Sequence, residues 1–221
     1  MENKIEIREV TKQFGEYRAL DHVSVNFHRG RIHGIIGRNG SGKTVLFKCI
    51  CGFLRADQGE ILVDGKQIGK DIEVPENTGI IIETPGFLPN YSAYQNLRFL
   101  ADIRNKIGKE EIRETILRVG LDPENKKHVG KYSLGMRQRL GLAQAIMEDP
   151  SLLILDEPMN GLDNQGVEDM RKLLLELKAQ GKTILLASHN REDIAILCDT
   201  VVELDHGRIL CLERSERNEK S

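Results

Sequence analysis

The chain begins with a pattern of alternating apolar and polar residues. The stretch VSVNFH (23–28) places its apolar side chains at every second position, which is typical of a strand buried on one face. The segments KIEI (4–7) and EILV (60–63) are also strand-sized and rich in β-branched residues. The first part of the chain is therefore predicted to form an antiparallel β layer.

A second pattern consists of continuous apolar runs separated by helical segments. RIHGII (31–36) precedes a glycine-rich stretch and then VLFKCICGF (45–53). This order predicts a buried strand, a tight loop and a helix, which is how an α/β unit opens. Further along, LLIL (152–155), TILLA (183–187) and TVVEL (200–204) alternate with helical segments, so β-α-β units are expected there too.

The pattern between Ser92 and about Met147 is helical. Ser92 with Gln95 three positions later is a capping-box signature, and KEEIRETILRVGL (109–121) repeats apolar residues at helical spacing. The predicted fold class is α/β with an N-terminal antiparallel β layer and an inserted α-helical subdomain. The expected single domain, 1–221, comprises a core of 1–87 and 148–212, a helical subdomain of 88–147 and a polar tail of 213–221.

Composition narrows the possible functions. The 221 residues include 32 Lys+Arg and 34 Asp+Glu, a net charge of -2, which argues against non-specific binding to nucleic acid. No apolar run reaches the ~20 residues that span a bilayer, and the start of the chain lacks a signal-peptide pattern. We expect a cytoplasmic protein without membrane insertion. The four cysteines lack zinc-ligand spacing, so packed, reduced thiols are expected.

The segment GRNGSGKT (37–44) fits the phosphate-binding loop pattern G-x-x-x-x-G-K-[ST]. In such a loop backbone N–H groups surround phosphates, Lys43 neutralises the β and γ oxygens, and the Thr44 hydroxyl ligates Mg²⁺. The α/β core is therefore predicted to be that of a P-loop NTPase. The predicted nucleotide-binding residues here are Gly37, Arg38, Asn39, Gly40, Ser41, Gly42, Lys43, Thr44 and Val45.

Two further strands are predicted to end in reactive side chains. LLILDEP (152–158) places Asp156 and Glu157 at the carboxyl end of a strand, where parallel α/β sheets bind ligands. Asp156 can hold Mg²⁺, and Glu157 can polarise a water toward the γ-phosphate. His189 follows TILLAS and is a candidate γ-phosphate donor, although an ordinary surface histidine fits the same position.

The segment YSLGMRQRLGLAQAI (132–146) begins like a capped helix, with Ser133 as N-cap and Gly135 in the first turn. A helix N-terminus with a hydroxyl and a glycine also suits a phosphate. Because the loop at 37–44 already serves the chain's own site, Ser133 and Gly135 are predicted to contact the nucleotide of a second copy. The alternative is an ordinary capped helix.

Together, and in this order, the motifs resemble the ATP-binding cassette subunits of membrane transporters over nearly the whole chain. GRNGSGKT is similar to the Walker A motif, LLILDEP to Walker B, NGLD (160–163) to the D-loop and His189 to the switch histidine, while SLGMR (133–137) lies where the signature LSGGQ belongs. The resemblance implies an ATPase that uses ATP and Mg²⁺ and acts with separate transmembrane permease subunits at the cytoplasmic face of the membrane. It also implies a second cassette, which Asp163 would contact.

Three positions refine the resemblance. Phe14 lies where the family has an aromatic residue that stacks on adenine, with Tyr17 as the second candidate and a core aromatic as the alternative. Glu83 stands where the family has a Mg²⁺-ligating glutamine, so a carboxylate replaces a neutral amide. The signature is also degenerate, with Met136 and Arg137 in place of Gly and Gln.

These departures, together with FLPNYSAYQNL (87–97), resemble bacterial cassettes for antimicrobial-peptide export and immunity, such as those for bacitracin or lantibiotics. The implied function is to power export. An exporter of drugs, ions or lipids is an alternative within the family. Two rival functions lie outside transport: a cassette ATPase that acts on nucleic acid or ribosomes, and a small-molecule kinase or GTPase that shares only the phosphate loop.

Overall fold

The computed structural model of the chain describes residues 2–83 and 86–214. The strands in this part are β1 (Asn3–Phe14), β2 (Tyr17–His28), β3 (Ile32–Ile36), β4 (Gln58–Val63), β5 (Lys66–Gln67), β6 (Thr78–Ile81), β7 (Leu152–Asp156), β8 (Thr183–Ala187), β9 (Thr200–Asp205) and β10 (Arg208–Arg214). The helices are α1 (Lys43–Ile50), α2 (Ala93–Arg104), α3 (Lys109–Arg118), α4 (Leu134–Ile146), α5 (Asn164–Ala179) and α6 (Arg191–Leu197), with a 3-10 turn at Val129–Lys131.

The antiparallel sheet has the strand order β2-β1-β4-β5, which confirms the predicted β layer. β1 and β2 form a long hairpin in which Ile7 lies opposite Val25. Both side chains are buried, as is Phe27 on the same face of β2. The period-two pattern therefore marks the face of this sheet that covers the core.

The second sheet has the order β10-β9-β3-β8-β7-β6 and is parallel except for β10 at its edge. The central strands β3, β8 and β7 are buried on both faces, which explains their continuous apolar runs. In β7, Leu152 and Ile154 pack in the core cluster that includes the inner face of the antiparallel sheet. Leu153 and Leu155 pack in the other cluster, against the helices. These two cores fix the sheet between two layers and confirm the predicted α/β fold class.

Residues 92–147 are all described and contain helices and turns but no strand. The Ser92–Gln95 capping box at the start of α2 is present. α4 packs directly on strand β6. The backbones approach so closely that a side chain at Gly79 would collide with the carbonyl oxygen of Ala145. The helical insert is therefore anchored to the edge of the parallel sheet through a close backbone contact.

The end of the fold differs slightly from the predicted boundaries. β10 continues to Arg214, two residues into the stretch expected to be a polar tail, because it pairs with β9 over its whole length. Residues 215–221 lie outside the described part. Within that part, no helix is long and apolar enough to cross a bilayer.

Cys49, Cys51 and Cys198 are all buried. Burial raises the pKa of the Cys49 thiol to about 11 and that of Cys51 to about 12. A thiol is reactive as the thiolate, so Cys49 and Cys51 are inert packing groups at neutral pH. This confirms the expectation of packed, reduced thiols for these three cysteines.

Candidate functional site

The candidate site lies at one edge of the parallel sheet, where β3, β8, β7 and β6 all end. β7 pairs with β8 up to Asp156 and Ala187, so the residues that follow the two strands are neighbours. The phosphate-binding loop follows β3 and runs into α1. The strand–loop–helix context predicted for GRNGSGKT is therefore present, and parallel pairing brings the other motifs beside it.

Two glycines allow the loop to approach its neighbours closely. Gly37 has φ +152°, and a side chain there would collide with the carbonyl oxygen of Leu204. Gly42 has φ +108°, and a Cβ would lie 2.5 Å from the carbonyl oxygen of Ala19. Because L side chains rarely adopt these values of φ, glycine is required at both positions. The loop is held in one shape against β2 and the end of β9.

Lys43 and Thr44 begin α1 and provide the polar groups of the loop. The Lys43 ammonium donates to the carbonyl oxygens of Gly37 (2.7 Å) and Arg38 (3.1 Å). The Thr44 hydroxyl donates to Asp156 Oδ2 across 2.7 Å. The amino end of α1 faces the same space and carries a partial positive charge. The arrangement suits a polyphosphate.

Glu157 takes a direction different from that of Asp156. Its φ is +51°, a left-handed value that is uncommon outside glycine, and its N–H donates to the carbonyl oxygen of Ala187 across 2.9 Å. Its carboxylate Oε2 lies 2.8 Å from His189 Nδ1. A carboxylate only accepts, so Nδ1 carries the proton in this pair. The structure thus brings together the predicted water-polarising acid and the predicted switch histidine.

A cavity of about 600 Å³ opens between these elements. The predicted site residues that line it are Asn39, Gly40, Ser41, Gly42, Lys43, Thr44, Val45, Glu83, Asp156 and Glu157. Gly37 and Arg38 support the loop from outside the cavity wall, and His189 reaches the site through Glu157. The cavity lining does not include Phe14, Ser133, Gly135 or Asp163.

The two aromatic candidates differ in position. Tyr17 lines the cavity and donates its hydroxyl to the carbonyl oxygen of Gly40 across 2.8 Å. Phe14 lies opposite Tyr17 in the hairpin register, outside the cavity lining, with the Lys12 ammonium 5.5 Å from its ring centre. It is also too exposed to be a core aromatic. The geometry therefore favours the second candidate, Tyr17, as the aromatic wall of the site.

Glu83 lines the cavity and also forms an ion pair that the sequence did not indicate. Its carboxylate Oε1 lies 2.5 Å from the Lys48 ammonium, one helical turn after Thr44 on α1. Its φ is +62°. The carboxylate is thus held near Thr44 and Asp156 but is neutralised by a lysine, and its role toward a metal stays a prediction.

Ser133, Gly135 and Asp163 surround a separate contact between α4 and the NGLD turn. Ser133 caps α4 as predicted and accepts from the Met136 N–H across 3.2 Å. Gly135 lies against Gly161, where a Cβ would be 2.7 Å from the carbonyl oxygen. Asp163 caps α5. None of the three lines the cavity at the chain's own phosphate loop, although Leu134, which lies between Ser133 and Gly135, does. Their contact with a second copy stays a prediction.

Sequence reasoning missed Gln138 and Asn160, which also line the cavity. Gln138 is buried in α4 and donates to the carbonyl oxygen of Glu157 across 3.3 Å. Asn160 donates its N–H to the same oxygen across 3.2 Å. The sequence did contain one indication for Gln138, because it is a polar residue at a position on the buried face of α4. Both residues help to hold Glu157 in its left-handed conformation.

The described residues contain no cluster of three or more His, Cys, Asp or Glu side chains that could hold a metal ion by itself. Thr44 and Asp156 nevertheless place two hard oxygen donors 2.7 Å apart at the phosphate loop. Mg²⁺ in nucleotide sites is typically held by one or two such groups together with the phosphates. The residues present therefore fit a magnesium ion that accompanies a nucleotide.

Comparison with known proteins gives consistent matches. The family model described as ABC transporter matches residues 20–160. An uncharacterised ABC transporter ATP-binding protein, YybJ of Bacillus subtilis, is 44% identical over 96% of both chains. The bacitracin transport ATP-binding protein BcrA of Bacillus licheniformis is 41% identical over 95% of this chain and 69% of its own length.

A solved dimeric bacterial cassette, MJ0796, superposes with a TM-score of 0.87 at 21% identity, covering 96% of this chain and 99% of that one. At this identity the match supports the fold. The sequence matches confirm the predicted resemblance, and the structural match confirms the predicted architecture.

Tyr17→Ala is expected to weaken ATP binding by about 1–3 kcal/mol, roughly 5- to 100-fold in Kd, because an aromatic platform for the base is lost. Phe14→Ala is the matched control and should change Kd less than about twofold. Tyr17→Phe keeps the ring and should stay close to the parent protein. Titration with a fluorescent ATP analogue measures all three values. The assignment fails if Phe14→Ala has the larger effect.

Proposed function

The chain belongs to the ABC transporter family as an ATP-binding subunit, and we propose that it powers export of a peptide antibiotic through separate membrane subunits. One observation supports the proposed ATP hydrolysis: Lys43, the Thr44–Asp156 pair and the Glu157–His189 pair converge in one site. The proposed cargo class rests on the similarity to a bacitracin transport protein and on the predicted subgroup. Drugs, ions and lipids are the competing cargoes.

The proposed hydrolysis follows from the positions of these groups. The loop N–H groups, the amino end of α1 and Lys43 bind the phosphates, and Lys43 exchanges its two carbonyl acceptors for phosphate oxygens. Thr44 and Asp156 would hold Mg²⁺, which neutralises phosphate charge when bound. Glu83 supplies a further carboxylate on the same side, paired with Lys48.

Glu157 is the proposed group that orients and polarises the attacking water. Its carboxylate is held by His189 Nδ1, which leaves Nε2 of the imidazole facing away from the pair. In the proposed reaction Nε2 carries a proton as well and donates to a γ-phosphate oxygen, so His189 links the water-polarising acid to the transferred group.

Glu157→Gln should lower turnover by about 100-fold or more while ATP binding is retained, because an amide cannot accept the water proton in the way a carboxylate does. Phosphate release and ATP titration measure the two quantities. Glu176→Gln, an exposed glutamate on α5, is the matched control and should hydrolyse ATP normally. Undiminished hydrolysis by Glu157→Gln would remove the assignment.

In the bacterium of origin, the same variant should increase sensitivity to bacitracin-like peptides and leave sensitivity to unrelated drugs unchanged.

A second proposal concerns pairing of two cassettes. Ser133, Gly135 and Asp163 form one surface at the contact between α4 and the NGLD turn, and none of them lines the cavity at their own chain's phosphate loop. We infer that this surface completes the site of a second cassette, with the exposed amino end of α4 facing the other chain's γ-phosphate. ATP then favours the paired state because only that state completes both sites.

Mixing two inactive variants tests this pairing. Lys43→Ala removes the phosphate lysine, and Ser133→Arg blocks the signature surface, so each protein alone should be inactive. A mixed dimer keeps one complete site, and an equal mixture should regain roughly a quarter of the parent phosphate-release rate if the sites are independent. A mixture of Lys43→Ala with Glu157→Gln is the control and should stay inactive, because both residues serve the same half-site. Absence of recovery in the first mixture would contradict the cross-chain role.

A groove beside the site is the proposed docking surface for the membrane subunit. It has a volume of about 470 Å³ and runs along the open edge of β6, between α2 and the end of α1. Phe53 and Ile103 line it and are 56% and 78% exposed. Exposed apolar groups along a groove are typical of an interaction site. Docking there would hold the cassette at the cytoplasmic face of the membrane.

Ile103→Asp should lower the fraction of the protein that sediments with bacterial membranes by about tenfold, since a buried charge in an apolar contact is costly. ATP hydrolysis by the isolated protein should stay unchanged, because Ile103 lies outside the nucleotide cavity. Leu117→Asp, which changes another exposed apolar residue, on α3, is the control and should still sediment. Equal retention of both variants would argue against this groove.

A further inference from the structure

A cluster of charged side chains, two of them buried, joins α5 to α6 a few residues after His189 in the chain. The Arg171 side chain on α5 is 7% exposed, and that of Asp193 on α6 is 2% exposed. Nε and Nη2 of Arg171 both donate to Asp193 Oδ1, across 2.9 and 2.6 Å. Charge-assisted bonds of this kind are short and strong. The contact therefore fixes the first turn of α6 on the surface of α5.

Two glutamates surround the same guanidinium. Glu168 Oε1 accepts from Nη1 across 2.6 Å, and Glu192 Oε2 accepts from Nη2 across 3.0 Å. Burial lowers the pKa of Arg171, but the bonds to Asp193, Glu192 and Glu168 raise it above its usual value overall. The guanidinium is thus always charged, and it compensates the charge of the buried Asp193 carboxylate.

The cluster continues to both neighbours of His189. The Ser188 hydroxyl lies 3.4 Å from Asp193 Oδ2 and accepts from the Asn190 N–H across 3.1 Å. Asn190 then caps α6 by accepting from the Glu192 N–H across 2.9 Å. The His189 imidazole is 72% exposed, so packing does little to fix it. Its position against Glu157 depends on how firmly the flanking residues are held.

We propose that Arg171 is a positioning residue for ATP hydrolysis, because its contact with Asp193 fixes the loop that carries His189. The inference rests on the roles proposed above for His189 and Glu157. It also connects two distant parts of the site. Asp163 of the NGLD turn caps α5. Arg171 therefore joins the helix that starts at the proposed cassette contact to the loop that carries His189.

The test is a double-mutant cycle between Arg171→Lys and His189→Ala in the full-length chain. Lysine keeps the charge but loses the forked contact. In the parent background, Arg171→Lys should lower kcat about tenfold or more, because small displacements of reacting groups are costly, and the Kd for ATP should stay within about twofold. In the His189→Ala background, the same substitution should change kcat less than about twofold, because the positioned group is gone. Release of radiolabelled phosphate over hours measures the slow variants.

Lys178→Met provides the matched control. Lys178 pairs with Asp199 and so ties the same helix, α5, to the segment after α6, at the end farther from His189. Its loss should leave kcat within about twofold of the parent protein. The proposal is overturned if Arg171→Lys leaves kcat unchanged, if it lowers kcat equally with and without His189, or if Lys178→Met causes the same loss.

Arg171→Lys could fail to fold if Asp193 is left poorly paired. In that case Arg171→Met combined with Asp193→Leu takes its place in the cycle, since apolar replacement of a buried ion pair is often neutral for stability. The expected kcat pattern is the same. A result in which Glu157→Gln and His189→Ala abolish turnover but the Arg171 variants keep the parent kcat would overturn this inference and leave the proposed function intact.

Discussion

The parallel pairing of β3, β8, β7 and β6 is the constraint on which the rest of the structure depends. These strands come from segments spread between Ile32 and Ala187, yet their carboxyl ends share one edge. The phosphate loop, the Asp156–Glu157 acids and His189 meet there because of this pairing. A parallel sheet must be covered on both faces, and the antiparallel layer and the helices provide that cover through two separate cores.

The polar groups at this edge are matched with one another. Lys43 binds loop carbonyls, Thr44 binds Asp156, and Glu157 faces His189. Each contact gives a hydrogen-bond partner to a polar or charged group that the fold partly removes from water. ATP would replace the two carbonyl acceptors of Lys43 by phosphate oxygens, so binding needs a small side-chain shift and no refolding of the loop. The backbone is already fixed by close contacts at Gly37 and Gly42.

The sequence was sufficient for the elements and for the main groups of the site, because strand and helix periods and the phosphate-loop spacing are local signals. It could not decide between Phe14 and Tyr17. They are paired neighbours across a hairpin turn, and the twist of that hairpin determines which ring meets Gly40. Contacts between distant segments were also beyond reach. Arg171 meets Asp193 because α5 and α6 pack in a particular register, and Lys48 meets Glu83 because α1 lies beside the bend after β6. No local pattern encodes either contact.

The helical insert explains why Glu157 keeps an uncommon backbone conformation. α4 packs on β6 through the contact between Gly79 and Ala145 and on the NGLD turn through Gly135 and Gly161. This places Gln138 beneath the Glu157 carbonyl, while β8 accepts the Glu157 N–H from the other side. The left-handed residue is thus held by both the sheet and the insert. A shift of α4 would therefore act on the backbone of the proposed water-polarising acid, so the insert and Glu157 are mechanically linked within one chain.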